Sequence, residues 1–268
     1  MNKSRELALK ARITSLECVH KSKSSHIGSA LSIIDLMAVL YTEIMTHDSK
    51  NPLLDTRDHF ILSKGHACIG LYAILGHLDY FPLSDLDSYA KNGSIYMSHV
   101  SHKVNGVEFS TGSLGHGVGF GTGIALSKKI RKTNEQVYVL CGDGELGEGS
   151  NWEAFLFASH NNLDNLTIII DHNNLQSLTT VEETMSLKPF KAKFESFGLN
   201  YFEVDGHNHI DLKETLLTIK QNKNGQPSVL LMNTVKGKGV TYMENKVEWH
   251  YKSPDESQLF KALEELRK

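Results

Sequence analysis

Two short runs of this sequence carry residue types suited to gripping a divalent cation and a pyrophosphate. The first is Gly142-Asp143-Gly144-Glu145; the second, Asn173-Asn174, begins thirty residues after Asp143. One carboxylate, one amide oxygen and a nearby backbone carbonyl make a set of hard oxygen donors. Mg²⁺ suits such a set, because it takes few protein ligands and completes its shell with phosphate and water. The glycines let backbone N–H groups come close to phosphate oxygens, whose charge the metal offsets. Either run alone reads as an ordinary turn or loop. Together they are far more specific, because each closes an apolar run and one helical stretch separates them.

For Asp143 and Asn173 to meet, two strand ends must lie side by side. Residues 137–141 and 166–170 are short continuous apolar runs, and each stops at one of the polar motifs. Between them, Trp152, Phe155, Leu156 and Ala158 recur at helical spacing. Phe190, Phe194 and Phe197 mark the next helical face, and 201–204 and 229–235 are further strand candidates. An earlier apolar run, 59–62, stops at Ser63-Lys64-Gly65-His66, with a helix expected from there through Leu75. The start of the chain reads as two helices around a serine-rich break at 22–25. Leu7, Ile13, Leu16 and Val19 mark one face; Leu31, Ile33, Leu36, Met37, Leu40 and Ile44 mark the other. Near-continuous apolar strands alternating with helices predict an α/β fold, a parallel sheet with helices on both faces. Ligands of such sheets bind outside the carboxyl ends of the strands, where these motifs fall. Residues 1–268 read as one domain, closed by an amphipathic helix over 255–268 with Leu259, Leu263 and Leu266 on one face.

A chain of 268 residues lies near the roughly 250–300 residue size at which single cores stop growing. Its net charge of -3 gives no footprint for nucleic acid or a membrane surface. The run Lys128-Lys129-Ile130-Arg131-Lys132 reads as a solvated helix end. No apolar run reaches the ~20 residues of a membrane span. Met1-Asn2-Lys3-Ser4-Arg5-Glu6 lacks an apolar signal region. Cys18, Cys68 and Cys141 show no metal or disulfide spacing and read as buried thiols in a reducing cytoplasm.

The paired Asp and Asn motifs match the signature of thiamine-diphosphate enzymes, and the surrounding text resembles the transketolase family. The resemblance is carried by Gly142-Asp143-Gly144-Glu145-Leu146-Gly147-Glu148-Gly149 with Trp152-Glu153-Ala154, and by Ser63-Lys64-Gly65-His66-Ala67. Ser110-Thr111-Gly112-Ser113-Leu114-Gly115 and Lys236-Gly237-Lys238-Gly239-Val240 add to it, and the likeness runs from about residue 5 to about residue 255.

By this resemblance the fold is a thiamine diphosphate-binding domain of the diphosphate-binding type. Asp143, Asn173 and the main-chain carbonyl of Leu175 are expected to bind Mg²⁺, with Ca²⁺ or Mn²⁺ as substitutes. Gly144 is expected to touch the diphosphate through its backbone, within a cofactor-binding set that includes Gly142, Glu145 and Asn173. His66 and His250 match family histidines at the diphosphate end. Gly112, Ser113 and Leu114 match the loop lining the cofactor's rings. His26 matches a histidine that contacts sugar hydroxyls. His99 matches a further site histidine, with His102 as the alternative; His20, His77 and His160 read as core or surface residues. Glu148 matches a glutamate of a carboxylate relay across a subunit interface, against the plainer reading of a helix's first-turn acid. His116 stands where the family usually has glutamine, and Gln176-Ser177-Leu178 where an Asp-Gly pair is usual. Both departures bear on substrate range more than on cofactor binding.

Full-length members carry a second domain that binds the cofactor's aminopyrimidine ring. Only 18 residues follow His250, so the resemblance implies a separate chain bearing the pyrimidine-binding and C-terminal domains, in an α2β2 assembly. The implied reaction moves a two-carbon ketol unit from a ketose phosphate to an aldose. His26, His66, His99, His250 and Glu148 are the expected catalytic residues. Rival readings are a half-enzyme like 1-deoxyxylulose-phosphate synthase or a 2-oxo-acid dehydrogenase, and a non-catalytic partner-binding subunit.

Overall fold

The computed structural model describes residues 3–267. The expected features at the chain ends extend onto Met1, Asn2 and Lys268, which lie outside the described residues. The strands are β1 (His59–Leu62), β2 (Val137–Gly142), β3 (Leu166–His172), β4 (Asn200–Asp205) and β5 (Ser228–Asn233). They form one sheet in the order β1-β2-β3-β5-β4, and every neighbouring pair is parallel. The helices are α1 (Lys3–Ser22), α2 (Ile27–Leu31), α3 (Ile34–Val39), α4 (Cys68–His77), α5 (Gly117–Ile130), α6 (Gly149–His160), α7 (Val181–Met185), α8 (Phe190–Ser196), α9 (His209–Gln221) and α10 (Glu256–Leu266).

Alternation along the strands divides the interior into two cores, because successive side chains point to opposite faces. Phe60, Leu62, Tyr138, Leu140, Ile169, Leu230 and Met232 enter one core with α1 to α4 and α9. Ile61, Val137, Val139, Cys141, Ile168, Ile170, Val229 and Leu231 enter the other with α5, α6 and α8. Burial on both faces explains why β1, β2, β3 and β5 read as near-continuous apolar runs, while the edge strand β4 is only partly buried. β2 and β3 are neighbours with Gly142 opposite Asp171, so the chain leaves both strands at the same edge.

The structure corrects three details of the sequence reading. The second helical face, 31–44, is not one helix: α2 and α3 are separate, and a π-helical turn covers Leu40–Ile44. Ser32 lies at the break, where its hydroxyl donates to the Ser29 carbonyl at 3.0 Å and to Asp171 at 2.7 Å. Such side-chain bonds compete with the helical ladder. Lys128 is buried rather than solvated and donates to the Asp55 carbonyl at 3.0 Å. The sequence reading has no element between 205 and 228; α9 fills that interval, burying Leu212, Leu216 and Ile219. Among the described residues no helix is long and apolar enough to cross a membrane.

Candidate active site

Asp143 follows the last residue of β2 and caps a short 3-10 turn, Gly144–Gly147. Its carboxylate accepts the backbone N–H of Gly144 at 2.8 Å and that of Asn174, beyond β3, at 2.7 Å. The two motifs are therefore joined directly. Asn173 donates its amide to Asp171 at 2.8 Å, while its oxygen accepts the Leu175 N–H at 3.1 Å. Asp143 and Asn173 are both buried, and Asp143 forms no ion pair with a side chain among the described residues. Burial, then the charge of Asp171, pushes the Asp143 carboxyl up to about 6. A buried carboxylate of this kind is electrostatically short of a cation. Its oxygens, the Asn173 oxygen and the Leu175 carbonyl are hard donors that fit a phosphate-sharing divalent ion. A Cβ on Gly144 would come within 2.8 Å of the Gln176 side chain, so the bare backbone keeps this cradle open.

Asp143, Gly144, Asn173, Leu175 and Gln176 line one cavity of about 210 Å³, together with Gly112, Leu114, Gly142, Glu145 and the histidines His26, His66, His99 and His250. The rings form a tight cluster. His26 lies 5.2 Å from His66, 5.6 Å from His99 and 4.9 Å from His250 between ring centroids. His26 adopts a left-handed backbone with φ of 74°, a conformation costly for a non-glycine residue. A hydrogen bond from its N–H to the His250 carbonyl, 2.8 Å, holds it there.

All four rings are pushed toward the neutral form. Burial, then the charges of His99, Lys236 and Lys64, pulls His26 down to about 4. Burial, then Lys236, His26 and Lys64, pulls His250 down to about 3. Burial lowers His66 and His99 as well. A neutral imidazole offers one donor and one acceptor, the equipment for exchanging a proton with a hydroxyl.

The fold separates the two histidine candidates of the 99–102 segment. His99 lines the cavity, whereas His102 is exposed and bonded to Ser110 Oγ at 2.7 Å. Ser113 lines a neighbouring groove with Met97, Phe109 and His116. Glu148 lies outside the cavity, on the surface at the start of α6. The Glu145 carboxylate is engaged by protein groups: Ser63 Oγ, Gly115 N–H at 2.9 Å and Gly142 N–H at 3.2 Å. It ties together three segments of the cavity wall.

The family described as "Transketolase, thiamine diphosphate binding domain" matches residues 3–264 of the chain. The chain belongs to the transketolase family. A protein of Actinobacillus succinogenes, named as one subunit of an apulose-4-phosphate transketolase, is 39% identical over 90% of this chain and 87% of its own length. A Clostridium protein, named as one subunit of a 6-deoxy-6-sulfo-D-fructose transketolase, is 36% identical over 96% and 94%. The transketolase structure from Campylobacter jejuni superposes with a TM-score of 0.93 at 30% identity, covering 100% of this chain and 43% of that one. The structure from Leishmania mexicana gives 0.93 at 27%, covering 100% and 42%. The chain thus spans less than half the length of these solved transketolases.

Three polar residues of this transketolase chain stand within or beside the motifs, and the sequence reading assigns them no role. Asp171, fully buried, accepts from Lys64, Ser32, Thr234 and Asn173. Lys64 spans from Asp171 to the Ser29 carbonyl at 3.2 Å. Lys236, 1% exposed, donates to the Leu175 and Gln176 carbonyls at 3.3 and 2.9 Å and lies 3.1 Å from His250 Nδ1. Burial, then the charge of Lys64, lowers its ammonium to about 8, against the opposing pull of Asp171 and Asp143. Two lysines held inside one cavity are the available signal for an anionic ligand, and their motifs do mark them in sequence.

Proposed function

We propose that this chain is the diphosphate- and Mg²⁺-binding half of a two-chain transketolase. One observation carries the reading: the Asp143, Asn173 and Leu175 oxygens, two buried lysines and four histidines line a single cavity. Asp143, Asn173 and the Leu175 carbonyl hold the metal. Lys236, His66, His250 and the Gly144 backbone face the diphosphate, and Lys236 supplies a positive charge there. Gly112, Ser113 and Leu114 border the cofactor's rings. Thiamine diphosphate supplies the electron sink that makes cleavage of a carbon–carbon bond beside a carbonyl feasible.

The chain's own groups orient the sugar and move its protons. His26 and His99 meet the ketose hydroxyls, and His66 and His250 exchange protons with the reacting oxygens. The lowered basicity of all four favours the neutral ring, which presents one N–H donor and one lone-pair acceptor to the sugar oxygens. The donor is a ketose phosphate, or a ketose with a comparable anionic tail, and the acceptor an aldose. Relatives named for a phosphorylated and a sulfonated ketose support an anionic tail.

The partner is a chain bearing the pyrimidine-binding and C-terminal domains, in an α2β2 assembly. Relatives of similar length, each named as a single subunit of its transketolase, support a partner. So does the exposed face where α5 presents Gly119 and Gly123 and neighbouring α6 presents Leu156 and Phe157, beside Glu148. Glu148 joins the carboxylate relay across that contact. Three buried free thiols support a reducing, cytoplasmic setting.

The test is calorimetric titration of the chain plus partner with thiamine diphosphate and Mg²⁺, followed by donor assays. Saturable binding and ketol transfer from a ketose phosphate are expected. Consumption of pyruvate instead would assign the chain to the synthase or dehydrogenase type. Absence of binding with partner present would overturn the enzymatic reading altogether.

A further inference from the structure

Lining a groove separate from the main cavity, with Lys238 and Gly239 of the Lys236 loop, lies a second polar network. Its centre is Asp35 on α3. Arg12 grips this carboxylate with both terminal nitrogens, and His209 Nε2 meets it at 2.9 Å. His207 Nδ1 meets it at 2.8 Å. The other ring nitrogen of His207 accepts the backbone N–H of Val235, also at 2.8 Å. These two bonds fix the ring: Nδ1 carries the proton for the carboxylate, and Nε2 presents its lone pair to the amide.

Val235 directly precedes Lys236. β5 has ended at Asn233, so the Val235 amide no longer has a strand partner. The segment is pinned by separate bonds: Thr234 N–H to the His172 carbonyl at 3.2 Å, Thr234 Oγ1 to Asp171, Val235 N–H to His207, Asn245 N–H to the Lys236 carbonyl at 2.9 Å, and Gly237 N–H to the Gly28 carbonyl at 3.0 Å. Between residues 234 and 237, His207 is the only side-chain acceptor for a backbone N–H among the described bonds. The Lys236 carbonyl accepts the Asn245 N–H at 2.9 Å, and on its N-terminal side the backbone is held by a ring whose own orientation is set by Asp35.

We infer that His207 is a positioning residue for the diphosphate end of the cavity, acting through the Val235 amide on the Lys236 ammonium. The inference rests on the reading of Lys236 as a diphosphate-facing cation. It makes Asp35–His207–Val235 a support outside the cavity for a group inside it. Supports of this kind tune affinity without touching ligand.

Two isosteric replacements separate this role from a merely structural one. In His207→Gln the terminal amide reaches the place of Nε2 and retains an acceptor for Val235. In His207→Asn the amide reaches the place of Nδ1, keeps a donor for Asp35 and leaves the Val235 N–H without its acceptor. Both lose the ring, and both leave Asp35 with Arg12 and His209. Full-length chain, partner and Mg²⁺ would be titrated with thiamine diphosphate by calorimetry. His207→Asn should weaken cofactor affinity by about tenfold or more, and His207→Gln should retain most of it. In a Lys236→Ala background, His207→Asn should add less than about twofold, because the two act as one unit.

Should His207→Asn fail to fold, His207→Phe fills the ring's volume while removing both bonds, and the same loss is expected. Equal affinity for the Asn, Gln and wild-type chains would overturn the inference alone. Equal loss in the Asn and Gln chains would also overturn it, by showing that the ring rather than the acceptor matters. A wild-type pair that binds no cofactor would overturn the functional reading, and this inference with it.

Discussion

Asn173 donates its side-chain amide to the buried carboxylate of Asp171 at 2.8 Å, and that bond decides which way the amide faces. With the nitrogen committed, the oxygen is turned to the opposite side, where the Leu175 N–H also meets it. Asp171 and Asn173 are two residues apart at the end of β3, so strand periodicity sets both toward one side. A residue that binds no ligand thereby orients one that is proposed to bind a metal.

Replacing Asp143 with Ala should remove Mg²⁺-dependent binding of thiamine diphosphate and the activity that depends on it, by more than about a hundredfold. Far-UV circular dichroism should be unchanged, since the side chain bonds only two backbone N–H groups. Binding retained within a few-fold, measured by calorimetry with partner present, would rule out the metal assignment.

Lys64→Met leaves the Asp171 charge buried without its cation. The expected cost is about 3–5 kcal/mol, the range for breaking one side of a buried ion pair. Chemical denaturation of the isolated chain measures it. The double variant Lys64→Met/Asp171→Asn should recover part of the loss, because no unpaired charge then remains.

Substitution of the two neighbouring histidines should give unlike results. His99→Ala should lower kcat/KM for the ketose donor by about a hundredfold, within the range for a lost proton-transfer group. His102→Ala should stay within about twofold, because its ring is spent on Ser110 at the surface. Steady-state kinetics of the reconstituted pair decide between them, and the reverse ranking would restore His102 as the site residue.

Gly65→Ala should destabilise the chain by about 1–3 kcal/mol, the cost of overpacking. A Cβ there would overlap the Thr111 backbone and side-chain oxygen, and backbone cannot swing aside as a flexible side chain does. The loop before His66 would be pushed away from the 111–114 loop. A thermal melt showing no fall in Tm would contradict this packing.

The histidine cluster imposes a pH dependence whose sign follows from its lowered basicity. His26 titrates near 4 in the folded chain and near its ordinary 6.5 when unfolded. Between those values the unfolded chain holds the extra proton, so stability falls as pH drops from about 6.5 to about 4. The histidine contribution is fully present above 6.5; Asp143, raised to about 6, opposes it with a smaller contribution of its own that is lost as pH rises through that value. His66, His99 and His250 face His26 and share the direction, and Lys64 and Lys236 reinforce it. Denaturation midpoints at pH 7, 5.5 and 4.5 should decline in the wild type and decline less in His26→Gln.

Much of the fold was legible because it is written in local periodicity. The strand at His59–Leu62 and the apolar cores of β2, β3 and β5 follow from runs that must be buried on both faces; the edge strand β4 is only partly buried. Asp143 and Asn173 were legible as a pair because each directly follows a strand, and adjacent parallel strands end at the same edge. The break at Ser32 was hidden, since its cause is a bond to Asp171 far along the chain. The burial of Lys128 was hidden for the same reason: its partner carbonyl belongs to Asp55.

The sequence by itself determined the alternating α/β order, the residue types at the strand ends and the set of histidines from which a site could be drawn. Those properties depend on composition, spacing and the two periods of regular backbone. Only the tertiary structure decided that His99 rather than His102 joins the cluster, that Glu145 braces the wall, and that His207 bridges Asp35 and the Val235 amide. Such choices depend on distances between segments remote in sequence, and no local pattern encodes which of two nearby polar side chains the packed core turns inward.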